Sequence, residues 1–525
     1  MNTYFVGIIV SVIIYLAVGI VSGKRVKNIN DYYVAGHRAP TLLIVGSLVA
    51  SFLSTGAFLG DTGEVYSGFF MPIIIVGVMQ GTGYLFGSVL FGRYIRRSGA
   101  MTVSEYFGQR FQSKAVQRLA GITTIVAVTA YMLSAIQGIA TLMQLVTGLA
   151  YPLCVIIAWV TFAAFTVWSG SSGVLITDTI MFLVFLAAAL VGIPYIVKAA
   201  GGWNTAISFL ATTADNPGII SAGGNLSYLY PTASENLIWG VTYGIVWALV
   251  VMVSPWQTSR YLMAKDENTV MKSAVFSSAA VITITTLLYF AAAFVFKINQ
   301  SLVPSQAIIW AAMNVMPKII GVVMLTGILA AGISSASTFL SLIGFSLTND
   351  VFDLAKVELK KKLAFSRIGM LISSVLVLIL AIFNPPQIFW IMYFGGTVIA
   401  SSWAVVSISS IWSKKISSRG AFWGMLLGFM GCVILKSYSS IKSIVLPVYI
   451  DPFFIGIFCS VIGTVVGSLV SPATESVQKE WLKMRNGPAL TISVKQYGLL
   501  YGLFCIVFGG FLVIAYLVPY LKAIH

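Results

Sequence analysis

Residues 47–60 read "SLVASFLSTGAFLG", and residues 328–341 read "ILAAGISSASTFLS". Both stretches lie inside long apolar runs, yet each concentrates Ser, Thr, Ala and Gly where larger aliphatic residues would bury more surface. Small residues permit close packing of membrane helices, but packing alone does not require so many hydroxyl groups. A glycine next to Ser and Thr also weakens a helix locally. We therefore expect the helix containing residues 47–60 to unwind near its middle.

The composition around these stretches is that of a membrane protein. Hydrophobic residues make up 58% of the 525 residues and charged residues 9%, whereas charged residues make up about 25% of soluble domains. Apolar runs of about 20 residues, each long enough to cross a bilayer as a helix, recur along the chain. We expect an all-α polytopic protein with about fourteen transmembrane helices. The expected spans are residues 4–22, 41–66, 71–93, 119–147, 152–169, 174–199, 236–258, 272–296, 319–347, 368–384, 387–412, 420–436, 450–471 and 497–521.

The formal net charge of +16 is explained by membrane topology. If the N-terminus faces outward, 25 of the 31 Lys and Arg residues fall in the alternate loops that face the cytoplasm. This asymmetry follows the positive-inside rule and predicts a multi-pass protein of the plasma membrane with both termini extracytoplasmic. The basic surplus is expected to attract anionic lipid head groups of the bilayer, and it does not indicate nucleic-acid binding.

The inventory of reactive residues argues against an enzyme or an ATP-driven pump. The two histidines are His37 and His525, and the four cysteines show no paired spacing. No zinc site, histidine-based triad, phosphate-binding loop or dinucleotide fingerprint is found. The expected spans also contain no nucleophile–base pair or metal-ligand set. Energy for uphill movement of a solute would therefore come from an ion gradient.

Acidic residues are scarce inside the expected spans. Asp178 enters the sixth span by about one turn, and a carboxylate in hydrocarbon is costly unless it meets water, a partner or a cation. We therefore expect Asp178 to be functional, the alternative being an interfacial residue wetted from the cytoplasm. Asp61 and Glu64 lie near the outer end of the second span, where they are expected to be solvated or to form a gate.

The two small-residue stretches together can supply the ligands of a cation. An unwound turn in 47–60 would release backbone carbonyl groups, for instance those of Ala50 and Leu53. Ala331, Ser334 and Ser335 fall at i, i+3 and i+4, on one face of a helix. Five oxygen atoms without a histidine suit a hard monovalent cation such as Na⁺. Broken helices that bind a coupling ion near the bilayer midplane are a feature of secondary transporters.

Motifs along almost the whole chain resemble those of one family. They are "DYYVAGHRAP" at 31–40, "GDTGEVYSGF" at 60–69, "TVSEYFGQRF" at 102–111, "VWSGSSGVLITDT" at 167–179, "RYLMAKDENT" at 260–269, "ILAAGISSAST" at 328–338 and "SKKISSRGAFWGMLLG" at 413–428. The order and content of these motifs resemble the sodium:solute symporter family, which includes sodium-coupled proline, pantothenate, sialic acid and sugar transporters.

The resemblance implies a five-plus-five inverted repeat of the leucine-transporter type, which works by alternating access. It divides the chain into a leading helix (1–30), a first repeat (31–199), a second repeat (200–412) and C-terminal helices (413–525). It also carries the family's main sodium site onto Ala50, Leu53, Ala331, Ser334 and Ser335. Asp178 matches the carboxylate of the sodium path near the inner exit, and with Ser334, Ser337 and Thr338 it offers oxygen atoms for a second sodium ion.

The substrate pocket that the resemblance implies lies beside the sodium site. Its candidate residues are Phe52, Phe58, Gln80, Tyr131, Gln137, Trp247 and Ser254, although aromatic side chains in apolar spans more often serve packing. The fourth span contains no charged residue, unlike that of the sialic acid transporters, which disfavours a strongly anionic sugar acid. Phe52 stands where the proline transporters carry an aspartate.

The sequence as a whole predicts a sodium-driven importer of a small polar organic solute that is neutral, zwitterionic or a monocarboxylate. It implies no obligate protein partner. One alternative is a proton-coupled transporter of the same fold, in which Asp178 carries the proton and the hydroxyl cluster only packs. A second alternative is a membrane sensor that binds the solute without transporting it.

Overall fold

The computed structural model describes residues 3–23, 29–213, 232–354, 357–383, 388–444, 446–488 and 490–524. Apart from one isolated bridge between Ala39 and Ala264, the regular structure of these residues is helical. The expected all-α class is thereby confirmed.

The helices are α1 (Thr3–Gly23), α2 (Ile29–Val34), α3 (Thr41–Phe52), α4 (Thr62–Tyr66), α5 (Phe70–Gly87), α6 (Arg93–Ser98), α7 (Val103–Arg110), α8 (Lys114–Thr147), α9 (Tyr151–Ala199), α10 (Trp203–Thr212), α11 (Ala233–Val253), α12 (Pro255–Met263), α13 (Glu267–Ile298), α14 (Ala307–Asn314), α15 (Lys318–Phe345), α16 (Leu359–Phe383), α17 (Ile388–Trp412), α18 (Ser418–Lys442), α19 (Pro452–Val470), α20 (Glu475–Arg485), α21 (Val494–Leu512) and α22 (Val518–Ile524). Wider π-helical turns at Gly56–Asp61, Ser88–Gly92, Ser346–Val351 and Val513–Leu517 lead directly into or out of α-helices.

The apolar segments of these helices correspond to the expected spans. Among the described residues, eleven helices are long and apolar enough to cross a membrane, and the bent pair Thr41–Phe52 and Gly56–Tyr66 makes a twelfth span. Two shorter apolar segments, Thr3–Val18 and Tyr151–Ala164, coincide with the first and fifth expected spans.

One boundary differs from the expectation. We expect the fifth and sixth spans to be separate helices, but α9 runs continuously for 49 residues, from Tyr151 to Ala199. At about 1.5 Å per residue this is about 74 Å, more than twice the hydrocarbon thickness of a bilayer. Serine and glycine, which suggest a break between the two spans, also tolerate helical backbone, so their presence does not by itself end a helix.

Glycine lets several helices pack at backbone distance. A Cβ atom on Gly83 of α5 would lie 2.4 Å from the carbonyl oxygen of Ala248 on α11, and one on Gly428 of α18 would lie 2.3 Å from that of Ser401 on α17. Both distances are shorter than van der Waals contact. Close approach of small residues is a main source of association between membrane helices, so these positions hold the bundle together.

Arginines of α6 and α7 cross-link one end of the bundle. We call the end that contains Arg97 and Arg110 the basic end. Arg97 forms an ion pair with Glu267 at 2.5 Å and also donates to the carbonyl oxygen of Arg485 at 2.6 Å. Arg110 donates to the carbonyl oxygens of Ser410 at 2.7 Å and Val477 at 3.1 Å. Burial lowers the pKa of Arg110 to about 10, still well above neutral pH. These positive charges therefore also fix the loops and α20 against the bundle.

Candidate functional site

The second span is broken at its middle, as the sequence predicts. α3 ends at Phe52, and the segment that continues the span bends away by 47°. The amide of Ser54 donates to the Phe52 carbonyl at 2.8 Å, and the amide of Ala57 donates to the Ser54 carbonyl at 3.1 Å. In a continuous α-helix these two amides would bond the carbonyls of Ala50 and Leu53. The break therefore releases both carbonyls from their helical partners.

The second small-residue stretch lies in α15, which packs directly against α3. Ala331, Ser334 and Ser335 are all fully buried there. Ser334 donates its hydroxyl to Oδ1 of Asp178 at 2.7 Å. The Ser335 hydroxyl has no hydrogen-bond partner within the described part of the chain. The structure thus brings the two predicted ligand-bearing elements together, and it leaves one predicted ligand unpaired.

Asp178 joins three helices. Its side chain, on α9, is 0% exposed. Oδ1 accepts the bond from Ser334 of α15, and Oδ2 accepts one from Ser47 of α3 at 2.5 Å. The alternative of a water-exposed interfacial residue is therefore wrong, because the carboxylate lies where α3, α9 and α15 meet.

Arg260 completes this cluster, and the sequence did not predict it. The apolar run of its span ends at residue 258, so Arg260 is expected in a basic loop. In the structure α12 folds back into the bundle, and the guanidinium NH2 lies 3.3 Å from Oδ2 of Asp178. Arg260 also donates to Ser47 Oγ at 2.9 Å and to Thr338 Oγ1 at 2.6 Å. Ser254 followed directly by Pro255 is the sequence signal for this arrangement. Ser254 is the N-cap and Pro255 the first residue of α12, a pair typical of the start of a new helix, and a new helix here would contain Arg260.

Arg260 occupies the surroundings predicted for a second sodium ion. Thr338 accepts a hydrogen bond from Arg260, and Ser337 donates to the Ser334 carbonyl at 2.8 Å. The cation facing Asp178 in this conformation is therefore the guanidinium group. A sodium ion at the same carboxylate would have to displace Arg260.

A cavity lies between this cluster and the basic end. It is lined by α2, α7, α8, α9, α12 and α15, and its lining includes Arg260, Ser259, Thr338, Tyr33 and Phe345. Arg260 therefore borders a small internal space of about 20 Å³ that reaches α7.

Three of the predicted substrate residues meet in one aromatic cluster. The ring of Trp247 lies 5.8 Å from that of Phe52 and 6.0 Å from that of Tyr131. Tyr131 in turn packs against Phe339 of α15 at 4.6 Å. Because Phe52 is the last residue of α3, the cluster adjoins the carbonyls released by the break.

The other four predicted substrate residues are more dispersed. Ser254 lies at a second helix break, between α11 and α12, and its buried hydroxyl has no hydrogen-bond partner among the described groups. Gln80 is buried on α5, and its amide nitrogen makes no hydrogen bond of normal geometry with the described groups. Gln137 is fully buried on α8. Phe58 packs edge-to-face against Phe185 of α9 at 6.0 Å, apart from the aromatic cluster.

The two acidic residues near the outer end of the broken span are not solvated. Asp61 is 5% exposed, and Glu64 is buried as well. The hydroxyl of Tyr289 on α13 donates to Oδ2 of Asp61 at 2.9 Å. The expectation of solvated carboxylates is therefore wrong, and the alternative that they belong to a gate remains a prediction.

Comparison with known proteins places these features among transporters. The profile of the sodium:solute symporter family matches residues 32–428. A sodium/pantothenate symporter of Haemophilus influenzae is 24% identical over 479 residues, covering 88% of this chain and 96% of that protein. The sodium/pantothenate symporter of Escherichia coli is 22% identical over 460 residues, covering 85% and 92% respectively.

Two solved structures share the fold. One is a sodium-coupled sialic acid symporter in a substrate-bound, outward-open state, with a TM-score of 0.74 at 17% identity, covering 90% of this chain and 99% of that one. The other is a nucleobase-cation-symport-1 family transporter in a closed conformation, with a TM-score of 0.56 at 13% identity, covering 87% and 99%. The fold is thus the leucine-transporter type that the sequence resemblance implied.

Proposed function

The chain belongs to the sodium:solute symporter family, and from this premise we propose that its coupling ion binds between the break of α3 and the buried face of α15. The protein is a multi-pass membrane transporter that couples movement of a small organic solute to sodium. The observation that carries the proposed site is the diversion of the Ser54 and Ala57 amides, which releases the Ala50 and Leu53 carbonyls.

The ion's five ligands are the carbonyls of Ala50, Leu53 and Ala331 and the hydroxyls of Ser334 and Ser335. Ser335 has an unpaired buried hydroxyl ready for this role. The Ser334 hydroxyl donates its hydrogen bond to Asp178, so the lone pairs of its oxygen remain available to a cation. Asp178 thereby positions Ser334 and adds negative charge close to the ion.

Coupling to the solute follows from the shared helix break. Phe52 belongs to the aromatic cluster, and Leu53 carries one of the proposed ion ligands. An ion that fixes the geometry of this turn also fixes one wall of the solute pocket. Such a linkage raises solute affinity by a coupling free energy of about 1–3 kcal/mol.

Arg260 supplies a counter-charge when the ion leaves. A buried carboxylate without a partner costs several kcal/mol, and the Asp178–Arg260 ion pair removes that penalty in the sodium-free protein. The adjoining cavity lies between Arg260 and α7, and we assign the basic end, to which α7 belongs, to the cytoplasm by the positive-inside rule. In this topology both termini are extracytoplasmic, the protein lies in the plasma membrane, and release is inward. The repeats that exchange access comprise residues 31–199 and 200–412.

The ion pair also favours sodium over protons as the driving ion. A proton carrier must become neutral in each cycle, and a neutral Asp178 would leave Arg260 as an uncompensated buried charge. The hydroxyls of Ser47 and Ser334 likewise already donate to both carboxylate oxygens.

The solute is a small polar organic molecule of neutral, zwitterionic or monocarboxylate character. The names of the Haemophilus and Escherichia relatives make pantothenate one compound to test. The aromatic cluster supplies the apolar walls of the pocket, and Gln80, Gln137 and Ser254 supply polar groups.

The coupling ion is tested by thermal unfolding of the purified protein in NaCl and in KCl at equal ionic strength and at several pH values. We expect sodium to raise the unfolding temperature in a saturable way and potassium to leave it unchanged. An unfolding temperature that changes with pH but not with the sodium concentration would reject the proposal in favour of proton coupling.

A further inference from the structure

Asp61 is a buried carboxylate with one unsatisfied oxygen. Tyr289 donates to Oδ2, but Oδ1 is buried without a hydrogen-bond partner among the described residues. Within the same part of the chain, Asp61 forms no ion pair with Lys or Arg. A buried, unpaired carboxylate oxygen is costly, so it calls for a group that the protein does not itself supply.

Two further unsatisfied polar groups lie close to this carboxylate. Gln80 lies beside the Tyr289 hydroxyl, and its buried amide nitrogen makes no hydrogen bond of normal length and angle in the described structure. Tyr243 is a neighbour of Asp61, and its buried hydroxyl, beside the Trp247 indole, donates to no acceptor among the described residues. The region thus contains one acceptor that lacks a donor and one amide that lacks an acceptor.

The walls around Tyr243 are aromatic. Its ring stacks on Trp239 at 5.3 Å and packs against Phe389 at 5.2 Å and Tyr393 at 4.8 Å. It also meets Trp247 at 6.0 Å, edge to face. Since Trp247 contacts Phe52 and Tyr131, the Asp61 region is continuous with the aromatic cluster proposed to bind the solute.

We propose that Asp61 binds a cationic nitrogen of the transported solute, which therefore belongs to the ammonium-bearing compounds, zwitterions included. The ammonium group pairs with Oδ1 of Asp61 and lies against the faces of the tyrosine and tryptophan rings. An acceptor atom elsewhere on the solute, such as a carboxylate oxygen, takes the amide N–H of Gln80. This assignment deepens the proposed function and rests on it, because it assumes that the aromatic cluster holds the solute.

Other occupants of the site satisfy fewer of these groups. Hard metal cations are surrounded by oxygen ligands, as in the site proposed for sodium, whereas aromatic faces line much of this site. Aromatic faces are, in contrast, a recurrent means of recognising organic ammonium ions. A proton on Asp61 would neutralise the charge but supply no acceptor for the Gln80 amide or the Tyr243 hydroxyl.

The test is thermal unfolding of the purified full-length protein in saturating NaCl with two panels of solutes. The first panel carries a cationic nitrogen: proline, glycine betaine, choline and 4-aminobutyrate. The second lacks one: pantothenate, butyrate, lactate and glucose. We expect stabilisation by at least one member of the first panel and by none of the second. Stabilisation only by the second panel, or by neither, would overturn the assignment.

The second part of the test is the Asp61→Asn variant. We expect it to weaken binding of the stabilising solute by about tenfold or more, since it removes a charged hydrogen bond, while the sodium titration stays as in the wild type. A matched control is Asp350→Asn, because Asp350 is also a buried carboxylate that accepts a hydroxyl bond, from Thr102 at 2.6 Å, and has its other oxygen without a partner among the described residues, but it lies beside α7. That variant should retain solute binding.

The remaining outcomes separate this inference from the proposed function. A changed sodium titration in Asp61→Asn with intact solute binding would make Asp61 an ion ligand and overturn the inference. If sodium does not change the unfolding temperature of the wild type, but an ammonium solute binds in a way that depends on Asp61, the proposed sodium coupling is rejected and the inference is retained. If Asp61→Asn does not fold, the wild-type panels decide alone.

Discussion

Replacing Arg260 by alanine probes the charge balance of the candidate ion site. The substitution leaves Asp178 buried and still bonded to Ser47 and Ser334, but without its counter-charge. Removing one partner of a buried ion pair typically costs about 3–5 kcal/mol. We therefore expect the sodium-free Arg260→Ala protein to unfold at a clearly lower temperature than the wild type.

Sodium should recover much of this loss. The Ser334 hydroxyl lies 2.7 Å from Asp178, and a cation bound to that hydroxyl at about 2.4 Å would be about 5 Å from the carboxylate. Two opposite unit charges at that distance attract by about 3 kcal/mol at an effective dielectric constant of 20. Because Arg260 no longer competes for this charge, the sodium concentration for half-maximal stabilisation should fall by about ten- to a hundredfold.

The assay is a sodium titration of the unfolding temperature, with potassium keeping the ionic strength constant. Arg97→Ala is the matched control, since Arg97 also forms an ion pair, with Glu267 at 2.5 Å, but at the basic end. It should lower stability without changing the sodium titration. The reasoning is refuted if Arg260→Ala leaves the half-maximal sodium concentration unchanged, or if adding Asp178→Asn to it does not restore sodium-free stability.

Two further predictions concern the solute pocket and the basic end. Gln80→Ala should raise the solute concentration for half-maximal uptake more than the corresponding sodium concentration, because Gln80 is proposed to contact the solute alone; the reverse order, in a two-dimensional uptake titration, would remove it from the pocket. Burial lowers the pKa of His37, which lies before α3 with Nδ1 2.7 Å from the Leu262 carbonyl oxygen. Its contribution to stability is therefore complete above its unfolded pKa of about 6.5 and decreases as the pH falls through and below that value. His37→Gln should flatten the pH dependence of the unfolding temperature in that acidic range, and an unchanged slope would assign the dependence to other groups.

The sequence was sufficient to predict the break in α3. Gly56 next to Ser54 and Thr55 signalled a local weakness, and the amides that would have continued the helix are diverted at that point. It also singles out Asp178 as a carboxylate inside an apolar run, and the structure places this residue where three helices meet; its functional role stays a prediction. Both signals are local, so one chain without relatives was enough.

The sequence was not sufficient to predict long-range contacts. Hydropathy predicts a loop position for Arg260, because an arginine normally ends an apolar run, and nothing local reveals that Asp178 neutralises it. Hydropathy likewise predicts a solvated position for Asp61 and Glu64, because they lie near the end of an apolar run. The segment after α13 covers that end, so that a Cβ atom on Gly63 would lie 3.2 Å from the Ser305 amide nitrogen. Burial at a helix end depends on which distant segment covers it, and periodicity does not contain that information.

The most direct test of the central claim is a sodium titration of the Ser334→Ala, Ser335→Ala double variant, followed by thermal unfolding beside the wild type. Ser374→Ala is its control, because this hydroxyl is also buried and donates to the Leu371 carbonyl at 2.8 Å, but on α16. Loss of two of five proposed ligands should raise the half-maximal sodium concentration by about tenfold or more in the double variant only. A sodium titration identical to that of the wild type would contradict an ion site between α3 and α15.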